Sequence, residues 1–431
     1  MMDLLTRTDR IWNGTDRITD KEHHPFAPLN QVCEITRDIA FYKHFSNITA
    51  VRTDAGLVLL DTGSHLPILQ SMAFGAIRGF SQERLHTAVY THGHIDHAYG
   101  LPPFLEEADN RHWQRPAIVG HEAVLPRMQR YAKTTGYNSI INRRQFSMYV
   151  DWPSEFDAPT VTYHRNLPLT VGDTRFELHH ARGETDDHTW VYLPDAEVLV
   201  TGDLFLWAAP NAGNPQKVQR YAFDWAVALK AMAALRPRVL LPGHGLPIVG
   251  HDRVQQALSE SSDYLLHLHD GTLKLMNEGA TLDEIIHTVK PPAALAERPY
   301  LQPIYDEPEF IVRNIYRCYG GWYSGLPSEL KPSRFEEQAK EIAELAGGPD
   351  VLADRALSRL AEGNLRLASH LIDWAFGAAP ADPHVLAARA KVYETRKEAE
   401  LSTMARGIFG AAARQARGDD DDEPPSRQHG P

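Results

Sequence analysis

Apolar residues fall into two kinds of run along this chain, and the change from one to the other divides it. From residue 31 to about 255 the runs are short, rich in β-branched and aromatic residues, and closed by polar residues, which predicts strands. Residues 32–35, 39–42, 48–51 and 57–60 predict a meander of antiparallel strands, one half of a sandwich. Further strands are predicted at 88–90, 117–120, 161–163, 175–178, 190–193, 198–200 and 239–241, with 161–163 pairing with 175–178 around Gly172-Asp173. Helical spacing at 66–80, 102–108 and 223–235 alternates with them. Past residue 255 the pattern turns helical, at 254–275, 282–289, 308–319 and 334–345, then as helical hairpins from 351 to 412. The expected organisation is a polar arm at 1–30, an α/β domain at 31–255, an all-α domain at 256–412, and a disordered acidic tail at 413–431.

A chain of 431 residues accommodates two or three such domains. Its formal net charge of −12 argues against nucleic acid and against anionic membrane surfaces as partners. No apolar run has the length to span a bilayer, and the N-terminus has no apolar core of signal-peptide length. With only Cys33 and Cys318, one in each half, two buried thiols in a reducing compartment are expected rather than a disulfide. Those features together predict a cytoplasmic protein.

The chemistry concentrates in Thr91 to His97. His92, His94, Asp96 and His97 lie within six residues, directly after the strand-like run 88–90. A strand that ends in a polar loop aims alternate side chains into one cavity, so His92 and His94 can face one metal, and Asp96 and His97 a second. Imidazole with carboxylate suits zinc, with iron and manganese as competitors. Other histidine pairs read as structural: His23-His24 as surface, His121-Glu122 as a helix start, and His267 with His269 in a helical stretch.

His-x-His-x-Asp-His after an apolar strand resembles the metallo-β-lactamase superfamily, and the remaining motifs follow in order. Asp61 closes 56–61, Glu184 lies in Gly183-Glu184-Thr185, Asp203 in Gly202-Asp203, and His244 in Pro242-Gly243-His244-Gly245. A carboxylate where most of the superfamily has histidine, here Glu184, is the habit of the alkyl sulfatase branch. The stretches 267–279, 319–325 and 346–350 resemble that branch's dimerisation domain. The resemblance implies an αβ/βα metallo-β-lactamase sandwich followed by an all-α dimerisation domain. It also implies two divalent metal ions, zinc first, one held by His92, His94 and Glu184, the other by Asp96, His97 and His244, with Asp203 bridging. Asp61 then organises the histidine loop by hydrogen bonds. His188 is either a proton donor to the leaving group or a buttress of the site.

For the substrate, the resemblance implies that Asn211 helps to hold a sulfate, within a segment that also offers Asn214. The family's arginine is replaced only approximately by Lys217 or Arg220. Arg143 and Arg144 lie in a stretch that is either a lid near the site or a charged surface loop. The implied activity is attack by a metal-bound hydroxide on a small-molecule ester. A sulfate ester of an alkyl or aryl alcohol comes first; a carboxylic ester, lactone, thioester or phosphoester is the alternative, and a non-hydrolytic metal protein a third. No counterpart is seen to the sterol-carrier-like third domain of long alkyl sulfatases, which implies a compact alcohol. Tyr316, Tyr319, Trp322 and Tyr323 are expected to help form a homodimer through the helical half.

Overall fold

The computed structural model describes residues 2–419. They form two compact units, residues 2–133 with Pro153–Gly321, and Thr134–Trp152 with residues 322–419.

The first unit is a sandwich of two sheets. One orders seven strands as they occur in the chain: β1 (Gln31–Glu34), β2 (Ile39–Lys43), β3 (Ile48–Thr53), β4 (Gly56–Leu60), β5 (Leu85–Val89), β6 (Ala117–His121) and β7 (Val161–Tyr163). The second runs backwards from β13 (Ile248–Val249) through β12 (Val239–His244), β11 (Val198–Leu206), β10 (Thr189–Leu193) and β9 (Thr174–His180) to β8 (Asn166–Val171). β4, β10, β11 and β12 are buried along their whole length, as expected of strands covered on both faces. Helix Pro67–Phe80 lays Ala73 and Ile77 on the first sheet beside Phe104 of helix Pro102–Asn110.

Each sheet contains a parallel pair, and these pairs position the chemistry. β4 runs parallel to β5, so Asp61 and the loop from Thr91 to His97 leave the sheet at one edge. β11 runs parallel to β12, which sends Asp203 and His244 out together, with a register shift between Val200 and Leu206.

Several expectations are corrected. β7 pairs in parallel with β6 and ends the first sheet; the hairpin around Gly172-Asp173 is instead β8 with β9. Short alternating runs do not reveal which neighbour they bond to. The arm at 1–30 contains a helix, Leu4–Trp12, capped by Asp3. It buries Leu4, Thr8 and Ile11, and the central threonine interrupts the apolar stripe that would have announced it. His23 is buried, not superficial. The unit that holds the sandwich does not close near 255. Helix His251–Asn277 buries Val254, Leu258 and Leu265, and Ser262 donates a 2.8 Å hydrogen bond to the Ala226 carbonyl of helix Ala222–Ala234. Asn314 of helix Pro308–Gly320 donates to the carbonyls of Ala212 (2.7 Å) and Arg220 (2.9 Å). Cys33 and Cys318 are both free thiols, and Cys318 is exposed rather than buried.

The second unit is helical. Helices Phe335–Ala346, Pro349–Ala361, Leu365–Ala378, Pro383–Ala399 and Thr403–Arg417 share a core of Ala353, Ala356, Ala368, Ile372, Ala375, Ala388 and Val392. Small side chains let these helices approach closely. The stretch that carries Arg143 and Arg144 belongs here as helix Thr135–Phe146, packed on Thr403–Arg417, where Gly407 lies against the carbonyls of Arg144 and Gln145. It is a helix rather than a loop. The expected tail is helical as far as Arg417, and residues 420–431 lie outside the described residues.

Gly407 and Gly75 therefore respond oppositely to alanine. A Cβ at Gly407 collides with the Gln145 carbonyl, so Gly407→Ala is expected to destabilise the helical unit and expose 134–152 to proteolysis. Gly75, inside an exposed helix turn with open space around it, gains about 0.5–1 kcal/mol as Gly75→Ala. Urea denaturation with limited proteolysis checks both; equal responses would contradict the packing described.

Candidate metal centre

The loops after β4, β5 and β9, together with β11 and the end of β12, supply the centre, and hydrogen bonds fix how its side chains face it. Asp61 ends β4 in the left-handed region (φ 62°) and is buried. Its carboxylate accepts from the Thr91 amide (2.7 Å), the Thr91 hydroxyl (2.9 Å) and His97 Nδ1 (2.8 Å). With Nδ1 engaged, His97 turns Nε2 to the cavity. His244 does likewise, with Nδ1 on the Phe45 carbonyl at 2.6 Å, and His92 sets Nδ1 against the Thr91 hydroxyl at 2.9 Å. A ring whose outer nitrogen is held by a carbonyl or carboxylate presents the other as a lone pair.

The inward atoms form two adjoining groups. In one, His92 Nε2 and His94 Nδ1 are 2.7 Å apart, and Glu184 Oε2 lies 3.6 and 3.5 Å from them. In the other, His97 Nε2 and His244 Nε2 are 3.2 Å apart, with Asp96 Oδ2 at 3.5 and 3.4 Å. Asp203 faces both, 3.8 Å from His92 Nε2, 3.2 Å from His97 Nε2 and 3.4 Å from His244 Nε2. Within each group the candidate ligand atoms all lie within 4.8 Å of one another.

The electrostatics favour cations here. Glu184 Oε2 and Asp203 Oδ1 are buried and make no hydrogen bond, a costly arrangement unless a positive charge fills the space between them. Burial pushes the Glu184 carboxyl up to about 8, against the pull of Arg220. Burial also pushes Asp203 upward, but the facing rings of His244 and His97 outweigh it and hold Asp203 well below the usual carboxylate range. On His97, burial disfavours the charged ring, yet Asp203, Asp96 and Asp61 together raise it well above its ordinary value. Without a cation, those acids draw a proton onto the ring that a metal would replace. Nitrogen and carboxylate donors in two buried clusters sharing one acid fit a pair of divalent ions.

Other candidates take different positions. Arg220 is buried with Nη1 2.6 Å from Glu184 Oε1, and Asn211 donates its amide to the same oxygen, so both hold Glu184. Asn214 accepts from the Gln216 amide at 3.2 Å and is pinned through its own amide to buried Asp306, which gives it a loop-shaping role. Lys217 lies in the electrostatic field of Arg220, Glu184 and Asp96, and burial pushes its ammonium down to about 7. His188 is fully buried, stacks on His92 at 4.7 Å, accepts from the Asp203 amide at 3.0 Å, and burial lowers it to about 3. Arg143 and Arg144 belong to the helical unit and are not among the residues gathered here. His121 and His180 stack on each other at 3.6 Å, and His269 bonds Tyr319.

Sequence reading missed three contributors. Phe26, from the supposed arm, packs edge-on to His244 with centroids 4.5 Å apart, and Tyr305 packs edge-on to Phe26 at the same distance. Burial, then the carboxylates of Glu184, Asp96 and Asp203, raise the Tyr305 phenol. Tyr305 lies past the expected domain boundary, so no local signal tied it to the site. Asp187, three residues from Glu184, accepts from the Gly93 amide within the histidine loop.

With this geometry, likeness to known proteins is informative. Residues 42–244 match the metallo-beta-lactamase superfamily, and residues 281–419 match the alkyl sulfatase dimerisation family. A linear primary-alkylsulfatase of a Pseudomonas strain is 27% identical over 349 residues, covering 75% of this chain and 65% of that protein. An (R)-specific secondary-alkylsulfatase of Pseudomonas sp. is 27% identical over 399 residues, covering 86% and 60%. An alkyl/aryl-sulfatase of Saccharomyces cerevisiae is 26% identical over 358 residues, covering 76% and 54%. The chain thus spans somewhat under two thirds of these relatives. Among solved structures, the stereoselective inverting sec-alkylsulfatase Pisa1 from Pseudomonas sp. shares the fold, with a TM-score of 0.82 at 24% identity over 90% of this chain and 66% of that one. Two family matches follow each other along one polypeptide, in the order of its sandwich and its helices: residues 42–244 belong to the metallo-β-lactamase superfamily, and residues 281–419 to the alkyl sulfatase dimerisation family.

Proposed function

We propose that this protein is a dinuclear metal-dependent hydrolase that cleaves the sulfate ester of an alkyl or aryl alcohol. The observation that carries the reading is Asp203, whose carboxylate faces both clusters at once, within 3.2 to 3.8 Å of three imidazole nitrogens. In this reading His92, His94 and Glu184 hold one ion, and Asp96, His97 and His244 the other. Asp203 is shared between them. Zinc suits the imidazole-rich donors, while three carboxylates among seven ligands also admit manganese or iron. When bound, such a pair supplies a nucleophile near neutral pH and polarises an ester oxygen.

The chain's own residues do the rest. Asp61 holds His97 in the one tautomer that leaves Nε2 inward. Arg220 and Asn211 keep Glu184 aimed at the histidines. We assign Lys217, which lies in the field of Glu184 and Asp96, to the anionic group of the substrate, as an ammonium rather than the planar fork of an arginine. Tyr305 remains a neutral phenol beside the same carboxylates. His188, buried and neutral, keeps Asp203 in position.

The alkylsulfatase relatives support sulfate over other esters. The helical domain supports a homodimer, and its apolar exposure is consistent with that: Trp322 is 68% exposed, and Leu326, Leu330 and Phe335 are also exposed. Among the described residues no helix is long and apolar enough to cross a membrane.

Elemental analysis is expected to find two divalent ions per chain, with Asp203→Ala retaining at most one and Glu184→Gln binding its ion more weakly. Two ions retained by Asp203→Ala would contradict the sharing. Against a panel of sulfate, phosphate and carboxylic esters, the metal-loaded enzyme should turn over sulfate esters fastest; preference for a carboxylic ester would overturn the substrate class. Lys217→Ala should raise KM for the sulfate ester by about 10- to 100-fold, the worth of a hydrogen bond to a charged group. An unchanged KM would remove Lys217 from the substrate.

A further inference from the structure

Two frames hold the histidine loop; the one built on Asp61, which reaches His97 directly and His92 through the Thr91 hydroxyl, was expected. The other lies under the histidine loop. Asp187 is fully buried, and its Oδ2 accepts from the Gly93 amide at 2.8 Å, between His92 and His94. Its Oδ1 is 2.7 Å from Arg127 Nε. Arg127 is buried as well; Nη2 bonds Asp186 and Nη1 donates to the Tyr131 hydroxyl at 3.1 Å. A Cβ at Gly93 would lie 3.1 Å from Asp187 Oδ2 and 3.2 Å from the Arg127 side chain, so the loop backbone rests directly on the ion pair. The Tyr131 ring stands 6.1 Å from that of His94.

We propose that the Arg127–Asp187 pair is a positioning clamp for the His92–His94–Glu184 cluster alone. The reasoning is geometric. A hydrogen bond at the amide between the two histidines sets the loop dihedrals that bring His92 Nε2 and His94 Nδ1 together. Asp187 is also three residues beyond Glu184, so the same carboxylate ties the third member of that cluster to the first two. Each buried charge faces opposite ones: Asp187 lies against Arg127 and accepts from an amide, and Arg127 lies against two carboxylates and donates to a phenol, while Arg127 Nε and Asp187 Oδ1 meet as an ion pair without a hydrogen bond. Burial alone would lower Arg127, but Asp187, Tyr131 and Asp186 outweigh it and raise it, so the guanidinium stays charged. The other cluster has independent supports, Asp61 on His97 and the Phe45 carbonyl on His244. Loss of the clamp therefore frees one ion and spares the other. This inference rests on the dinuclear reading above and assigns each half of it a separate support.

The test is metal titration of the full chain with Zn2+, followed by elemental analysis, on wild type, Asp187→Asn and Asp186→Asn. Asparagine keeps the shape of Asp187 but breaks the ion pair. The expected result is about 10- to 100-fold weaker binding of one ion, as for other groups that orient metal ligands, with the second ion unchanged. Asp186→Asn, whose carboxylate is 39% exposed and does not touch the loop, should bind both ions normally. If Asp187→Asn does not fold by circular dichroism, Arg127→Lys is read the same way, because a lysine keeps the charge but does not bridge two carboxylates and a phenol. Two ions bound at wild-type affinity would overturn the clamp alone, as would equal weakening of both. Wild-type protein that takes up fewer than two ions would overturn the dinuclear reading and the clamp with it.

Discussion

Much of this structure turns on the buried carboxylate of Asp61, which accepts from the amide and hydroxyl of Thr91 and from His97 Nδ1. Those three bonds tie the end of β4 to the end of β5. They also settle a chemical ambiguity, since an imidazole can offer either nitrogen. Fixing Nδ1 of His97 on Asp61, of His244 on Phe45 and of His92 on Thr91 leaves three Nε2 atoms facing one space. Burying Glu184 and Asp203 beside those rings would be costly without compensation. Arg220 offsets the first, while two histidine rings, and by our reading two cations, offset the second.

The sandwich explains how residues 150 positions apart reach one cavity. Each sheet carries a parallel pair, β4 with β5 and β11 with β12, and parallel neighbours end at the same edge. One sheet contributes Asp61 and the histidine loop, the other Asp203 and His244. Glu184 comes from the turn between β9 and β10, held from behind by Arg220. The chemistry is thus carried on short loops, and their aim depends on rigid strands beneath them.

What the sequence made legible follows from this arrangement. Apolar runs mark buried strands, and the polar residue that follows each run marks the loop at the edge, so Asp61, His92 to His97, Asp203 and His244 stood out locally. What escaped was long-range. The stretch around Arg143 and Arg144 reads as a lid or a surface loop; only the packing of Gly407 shows that its helix, Thr135–Phe146, belongs with helix Thr403–Arg417. Residues 161–163 carry no mark of which sheet they join. Tyr305 and Phe26 meet at His244 from opposite ends of the first unit, and neither is near a motif. Arg220 and Asn211 looked like anion binders because a cation and an amide beside a metal site are natural ones. Only the geometry shows that both bond Glu184.

The most direct measurement is anomalous diffraction from crystals of the metal-loaded protein. The account predicts two peaks about 3.5–4 Å apart, one bonded to His92, His94 and Glu184, the other to Asp96, His97 and His244, with Asp203 touching both. A single peak, or metal held only at the separate group of His121, Glu122 and His164, would contradict it.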